Sequence, residues 1–116
     1  MARATDLPIY RVAYDLLTLL TRLTQSYPRG YRQGLARDIC TESQRLVTLV
    51  FRANCTTDKV EIIELLREKL EALRLMLRLS KDLSLISVGQ FAATVELTDA
   101  IGKQANGWLN YARKSA

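Results

Sequence analysis

Leu65 to Ser87 reads LLREKLEALRLMLRLSKDLSLIS. Its apolar residues are too many and too widely spread for a helix that borders only one core. Leu66, Leu70, Leu73 and Leu77 recur at helical four, three, four spacing and form one stripe, while Leu65, Ala72, Met76, Leu79, Leu83 and Ile86 fall on a neighbouring one. The first stripe predicts a buried seam within a bundle. The second is an apolar face that a monomer would leave in water, as interfaces between subunits do before they assemble. Between the leucines, Arg67, Arg74, Arg78 and Lys81 follow seven, four, three spacing and should share a face of their own.

On the C-terminal side, Ser87-Val88-Gly89-Gln90 has the Ser-x-x-Gln pattern of a capping box, so a helix is predicted from there to about Arg113. Its face Phe91, Val95, Thr98, Gly102, Ala105 and Leu109 is small in the middle, which predicts close approach of a neighbouring helix. On the N-terminal side, Asp58 followed by Glu61 resembles a second capping box that opens the long helix, itself ending near Asp82 to Leu85. Asn54 to Asp58, NCTTD, is a break. Before it, a helix from about Tyr31 to Ala53 carries Leu35, Ile39, Leu46 and Val50 inward, with Cys40, Val47 and Phe51 on an adjacent line. The first helix is expected to start near Thr5 or Asp6 with Pro8 in its first turn, and to bury Ile9, Ala13, Leu16, Leu20 and Leu23. It should stop at Tyr27, because Pro28 disfavours a helical residue before it and Gly30 follows.

No segment alternates apolar and polar residues in the manner of a strand, so the fold class is all-α. Four helices joined by links of a few residues fold most simply as an antiparallel up-down-up-down four-helix bundle, with residues 1–116 as one domain able to bury a core without staples.

Seventeen Lys and Arg against twelve Asp and Glu give a formal net charge of +5. The surplus is shared by both halves of the chain, and there is no basic tail. Twelve of the seventeen basic residues are arginines, whose planar fork matches phosphate oxygens bidentately. On the second helix Arg37, Arg45 and Arg52 share a face, with Thr41 and Thr48 between them. Both basic faces also read as ordinary solvated surfaces partly neutralised by Asp38, Glu42, Glu64, Glu71 and Asp82, with pairs such as Glu64 to Arg67 and Glu71 to Arg74. Aromatics do not interleave with the arginines, so a nucleic acid held here would be gripped by its phosphates or its shape.

Catalytic chemistry finds no footing. The chain has no histidine, which excludes Ser-His-Asp triads and mixed Cys/His zinc sites. Glu61, Glu64, Glu68 and Glu71 lack the Glu-x-x-His partners of a di-metal bundle, so no metal or cofactor is expected. Gly30 and Gly34 match no phosphate loop. Cys40 and Cys55 lie on one predicted helix, roughly 22 Å apart at 1.5 Å per residue, too far for a disulfide, and read as buried small apolar residues. Without a signal peptide or a long apolar run, the chain is expected to be soluble and cytoplasmic, with no membrane partner.

Three segments together resemble a known family. YPRGYRQGLARDI (Tyr27 to Ile39), ELLREKLEALRLMLRLSKDLSLIS (Glu64 to Ser87) and NGWLNYARKS (Asn106 to Ser115) are similar to the accessory variability determinant proteins of bacterial and phage diversity-generating retroelements. These sit within the wider group of four-helix-bundle proteins related to those encoded in ribosomal-RNA intervening sequences. That wider branch usually carries an Asn-Ile-Ala-Glu-Gly-like stretch late in the second helix. Here the region reads VTLVFRANC, which favours the retroelement branch. The resemblance implies a non-catalytic basic bundle that assembles as a homopentamer, binds the element's reverse transcriptase and contacts structured RNA or DNA. The matching positions for such contacts are Arg29, Arg32 and Arg37, then Arg67, Arg74, Arg78 and Lys81, then Arg113 and Lys114. Arg45 and Arg52 join them from the second-helix face. The alternative function is a purely structural oligomeric adaptor whose arginines only keep it in solution.

Overall fold

A computed structural model describes residues 3–115. The helices are α1 (Pro8–Thr24), α2 (Arg37–Cys55), α3 (Val60–Asp82) and α4 (Val88–Lys114). They form an antiparallel four-helix bundle in which α1 packs on α2 and α4, and α3 packs on the same two. The bundle measures 46 × 21 × 20 Å. Leu16, Leu20, Leu46, Val50, Leu66, Leu70, Leu73 and Leu77 are all buried in one core, as their shared spacing requires.

The helix ends depart from expectation in instructive ways. The first turn, Ala4–Asp6, is a separate 3-10 turn, and α1 begins at Pro8, whose missing N–H costs nothing at a helix start. The far end closes at Thr24 rather than Tyr27. Gln25, Ser26 and Tyr27 each donate to the carbonyl three residues back, and the tightened turn drives the Tyr27 ring into the core at 1% exposure. Helix two begins earlier than Tyr31: a helical turn Arg29–Tyr31 and a π turn Arg32–Ala36 run without a break into α2. Within that lead-in Ala36 is buried and Leu35 only half-buried.

The expected Asp58 and Glu61 capping box does not form. Lys59 is the residue before α3 and no side chain caps it. Its ammonium instead reaches back to the carbonyls of Ala53 at 2.7 Å, Thr56 at 2.9 Å and Asn54 at 3.4 Å, so the turn is held by capping the end of α2 rather than the start of α3. The Ser87 and Gln90 box does form, with Ser87 Oγ accepting from Gln90 N at 3.0 Å and Gln90 Oε1 accepting from Ser87 N at 2.9 Å. Just before it, Ser84 has φ 60°. Its N–H donates to Lys81 O, and that of Leu85 to Ser80 O, the pair of bonds that closes a helix through a left-handed residue.

Three face assignments are corrected. The buried line of α4 is Thr94, Thr98, Ile101, Ala105 and Leu109, while Phe91 and Gly102 are half-buried and Val95 is exposed. Leu23, expected in the buried stripe of α1, only borders the core; on the line adjacent to the inward face of α2, Val47 borders the core and Phe51 is exposed. Cys55 is exposed and Cys40 half-buried, so neither is the core residue expected, since both lie off the stripe that faces the bundle axis.

Candidate nucleic-acid interface

The basic residues singled out by the sequence fall into three groups. Arg29, Arg32 and Arg37 lie on the lead-in to α2, at the bundle end where α1 stops and α4 starts, and all three are exposed. Arg67, Arg74, Arg78 and Lys81 run along the side of α3 that faces α4. Arg113 and Lys114 close α4 at the opposite end, near the start of α3, so antiparallel packing separates them from the first group. Arg45 and Arg52 lie on the side of α2 that faces α3.

Their circumstances differ sharply. Arg74 is held in place: Nη1 donates to Glu71 Oε1 at 2.5 Å, and Nη2 donates to Asp99 Oδ1 at 3.2 Å and to the Thr98 carbonyl at 3.1 Å. The guanidinium lies against Gly102, where an added Cβ would come within 3.0 Å of Nη2. The small middle of α4 foreseen from the sequence thus makes room for an arginine. Lys81 Nζ sits 4.9 Å from the centre of the Phe91 ring and 3.9 Å from Asp82 Oδ1. Arg113 pairs with Glu64 at 2.6 Å, an α4 to α3 contact that replaces the expected Glu64 to Arg67 pair. Arg45 pairs with Glu42 at 2.9 Å, and the other oxygen of Glu42 lies 3.9 Å from Lys69.

Arg67 and Arg78 are exposed and form no ion pair among the described residues. Arg67 lines a cleft between α3 and α4 with Glu68, Glu71 and Asp99, and Arg78 lines the next one along with Phe91 and Asp99. Arg52 faces Asp58, Glu61, Glu64 and Glu68 across a cleft between α2 and α3. Arg32 Nε donates to the Tyr27 carbonyl at 3.2 Å, and Arg32 and Arg37 line a cleft between α1 and α2.

Sequence reasoning missed two groups. Lys103 and Asn106 of α4 share the cleft of Arg67, a meeting that spacing along one helix cannot reveal. Lys59, beyond capping α2, lies 6.0 Å from the Trp108 ring. Burial pushes the Tyr27 hydroxyl above its ordinary value of 10.0, hydrogen bonding with Ser80 opposes this, and Cys40 adds to the rise. The ring therefore stays neutral across the physiological range.

The arrangement offers guanidinium and ammonium donors for anions. No helix among the described residues is long and apolar enough to cross a membrane. A sequence model described as bAvd-like matches residues 9–112, nearly the whole chain. No curated protein matches it.

Proposed function

The chain belongs to the bAvd-like family, that of the accessory variability determinants, and from that premise we propose that it is the non-catalytic accessory protein of a diversity-generating retroelement. In this reading it acts in the cytoplasm as a single domain, binds the element's reverse transcriptase, and holds template RNA or its cDNA through phosphate contacts. The family match over residues 9–112 carries the proposal. Exposed arginines that form no ion pair among the described residues, Arg29, Arg37, Arg67 and Arg78 among them, support its electrostatic part.

A homo-oligomer, with five subunits expected, belongs to the same reading. On the outward face of α3 and just past its end, Leu65, Leu75, Leu79 and Leu83 are exposed, Leu75 to 70%, whereas Met76 and Ile86 of the expected stripe are half-buried and buried; a leucine face of that kind favours assembly. In a ring, the surplus charge of each subunit adds to one field that attracts a polyanion.

Anisotropy of a labelled RNA hairpin across a salt series tests the nucleic-acid part. Affinity should fall steeply with salt and vary little with base sequence. Light scattering reports the assembly, and co-purification with the reverse transcriptase reports the partner. A chain that oligomerises yet ignores RNA at moderate salt would be the structural adaptor instead.

A further inference from the structure

Arg32 and Arg37 are five residues apart, and in an α-helix that separation leaves two side chains about 140° apart around the axis. The segment between them is the π turn Arg32–Ala36, whose wider turn, closed by i to i+5 hydrogen bonds, brings residues five apart nearer to one face than an α-helix does. Both arginines accordingly line one shallow cleft of about 270 Å³ between the end of α1 and the start of α2, together with Thr21, Gln25 and Cys40.

Three further features single this cleft out. Among the described residues no carboxylate lines it, whereas the clefts of Arg52, Arg67 and Arg78 all contain Asp or Glu. Arg32 is oriented in advance, because its Nε donates to the carbonyl of Tyr27, whose buried ring fixes that turn, and the two Nη nitrogens remain for a ligand. Thr21 and Thr24 already donate to Leu17 O at 2.7 Å and Leu20 O at 2.8 Å, and the Cys40 thiol meets Thr24 Oγ1 at 3.3 Å. That leaves the Gln25 carboxamide as the uncharged donor beside the two guanidinium groups.

We propose that this cleft seats one phosphate group of a bound nucleic acid, clamped between the guanidinium groups of Arg32 and Arg37 with the Gln25 amide as third donor. The inference rests on the nucleic-acid reading above and adds the place where the backbone is gripped. A pre-oriented fork in a site free of carboxylates favours a phosphodiester oxygen pair more than an isolated surface arginine does.

The test uses the full isotope-labelled chain, titrated with inorganic phosphate against chloride at matched ionic strength, and a structured RNA hairpin followed by anisotropy. Phosphate should shift the resonances of Gln25, Arg32 and Arg37 first. Arg37→Gln should abolish those shifts, weaken RNA binding at least about fivefold and lower the salt slope by about one. Arg32→Lys, which keeps the charge and loses the fork, should weaken RNA binding by about threefold or more. Arg11→Gln, an exposed arginine of α1 outside the cleft, should stay within about twofold. Arg37→Gln and Arg32→Lys chains that keep the parent helicity and bind RNA as tightly as the parent would overturn the inference and leave the broader reading standing. Phosphate shifts scattered over unrelated basic residues would overturn it too. A parent chain that binds phosphate in the cleft but no RNA would remove nucleic acid as the source, and with it the functional reading.

Discussion

Arg74, in the seam between α3 and α4, and Arg37, at the start of α2, carry the same group and are both expected on a basic stripe, yet Arg37 lies toward α1 while Arg52 of its expected stripe lies toward α3. Arg74 reaches two carboxylates and a carbonyl and fills the space that Gly102 leaves. Arg37 has an exposed guanidinium in a cleft without any acid. A stripe of arginines on a helix therefore has no single meaning. Whether each one braces the fold or waits for a ligand depends on what the neighbouring helix places opposite it. A charge-reversal pair at Arg74 and Arg78 would mix the two roles, because the first is a brace and the second is exposed.

The largest expected effect lies beneath the brace. Leu73→Ala, at a fully buried position of the seam, should cost about 2 to 5 kcal/mol in urea unfolding. Leu75→Ala, two residues on and 70% exposed, should change a dilute monomer by less than about 0.5 kcal/mol. Similar losses at the two sites would mean that the seam has been misplaced.

Arg74→Met should destabilise by about 1 kcal/mol, held low because Glu71 and Asp99 are more than half exposed, whereas Arg37→Gln should stay within about 0.5 kcal/mol. If both variants unfold at the same urea concentration as the parent, the contrast between the two arginines is gone.

The two links at that end of the bundle differ as well. The α1 to α2 link turns at Pro28, with φ −56° and ψ 152°, while the α3 to α4 link holds Ser84 in the left-handed region. Ser84→Gly should therefore raise stability by up to about 1 kcal/mol, read as a higher thermal midpoint. A lower midpoint would show that the Ser84 side chain contributes more than its backbone costs.

Gly102→Ala sharpens the comparison further. In the parent, the gain in helix propensity, about 1 kcal/mol, is opposed by a Cβ pressing on Arg74 Nη2, so the net change should be small. In an Arg74→Met background the same change should stabilise by most of that amount. A double-mutant cycle with no coupling would show that the guanidinium moves aside freely.

The smallest effect concerns Tyr27, whose carbonyl accepts from Arg32. Its raised pKa means that the unfolded chain loses this proton first. Stability should be unaffected below about pH 10 and should decline as pH rises past it, with the decline shallower in Tyr27→Phe. Identical alkaline slopes in both proteins would remove Tyr27 from the account.

Much of this was legible in the sequence, for a physical reason. Helical burial is periodic, so Leu66, Leu70, Leu73 and Leu77 announce their common face without reference to any partner. Capping by Ser87 and Gln90 is equally local, since both bonds close within three residues. Asp58 and Glu61 have a similar pattern and fail: α3 starts one residue later, with Lys59 as the residue before it and its ammonium on the carbonyls at the end of α2.

Composition and spacing by themselves determined an all-helical bundle without a histidine-based site, the positions of its breaks to within a few residues, and the kinds of side chain available to grip an anion. Tertiary structure alone decided how those side chains are employed. It joined Glu64 to Arg113, braced Arg74 against Asp99, and left Lys103 beside Arg67. It also inserted a π turn before α2, and Arg32 and Arg37 line one cleft, where an α-helical reading sets them apart. Periodicity describes one helix at a time, whereas an ion pair or a cleft is a property of two, and its energy depends on distances that exist only once the helices have packed.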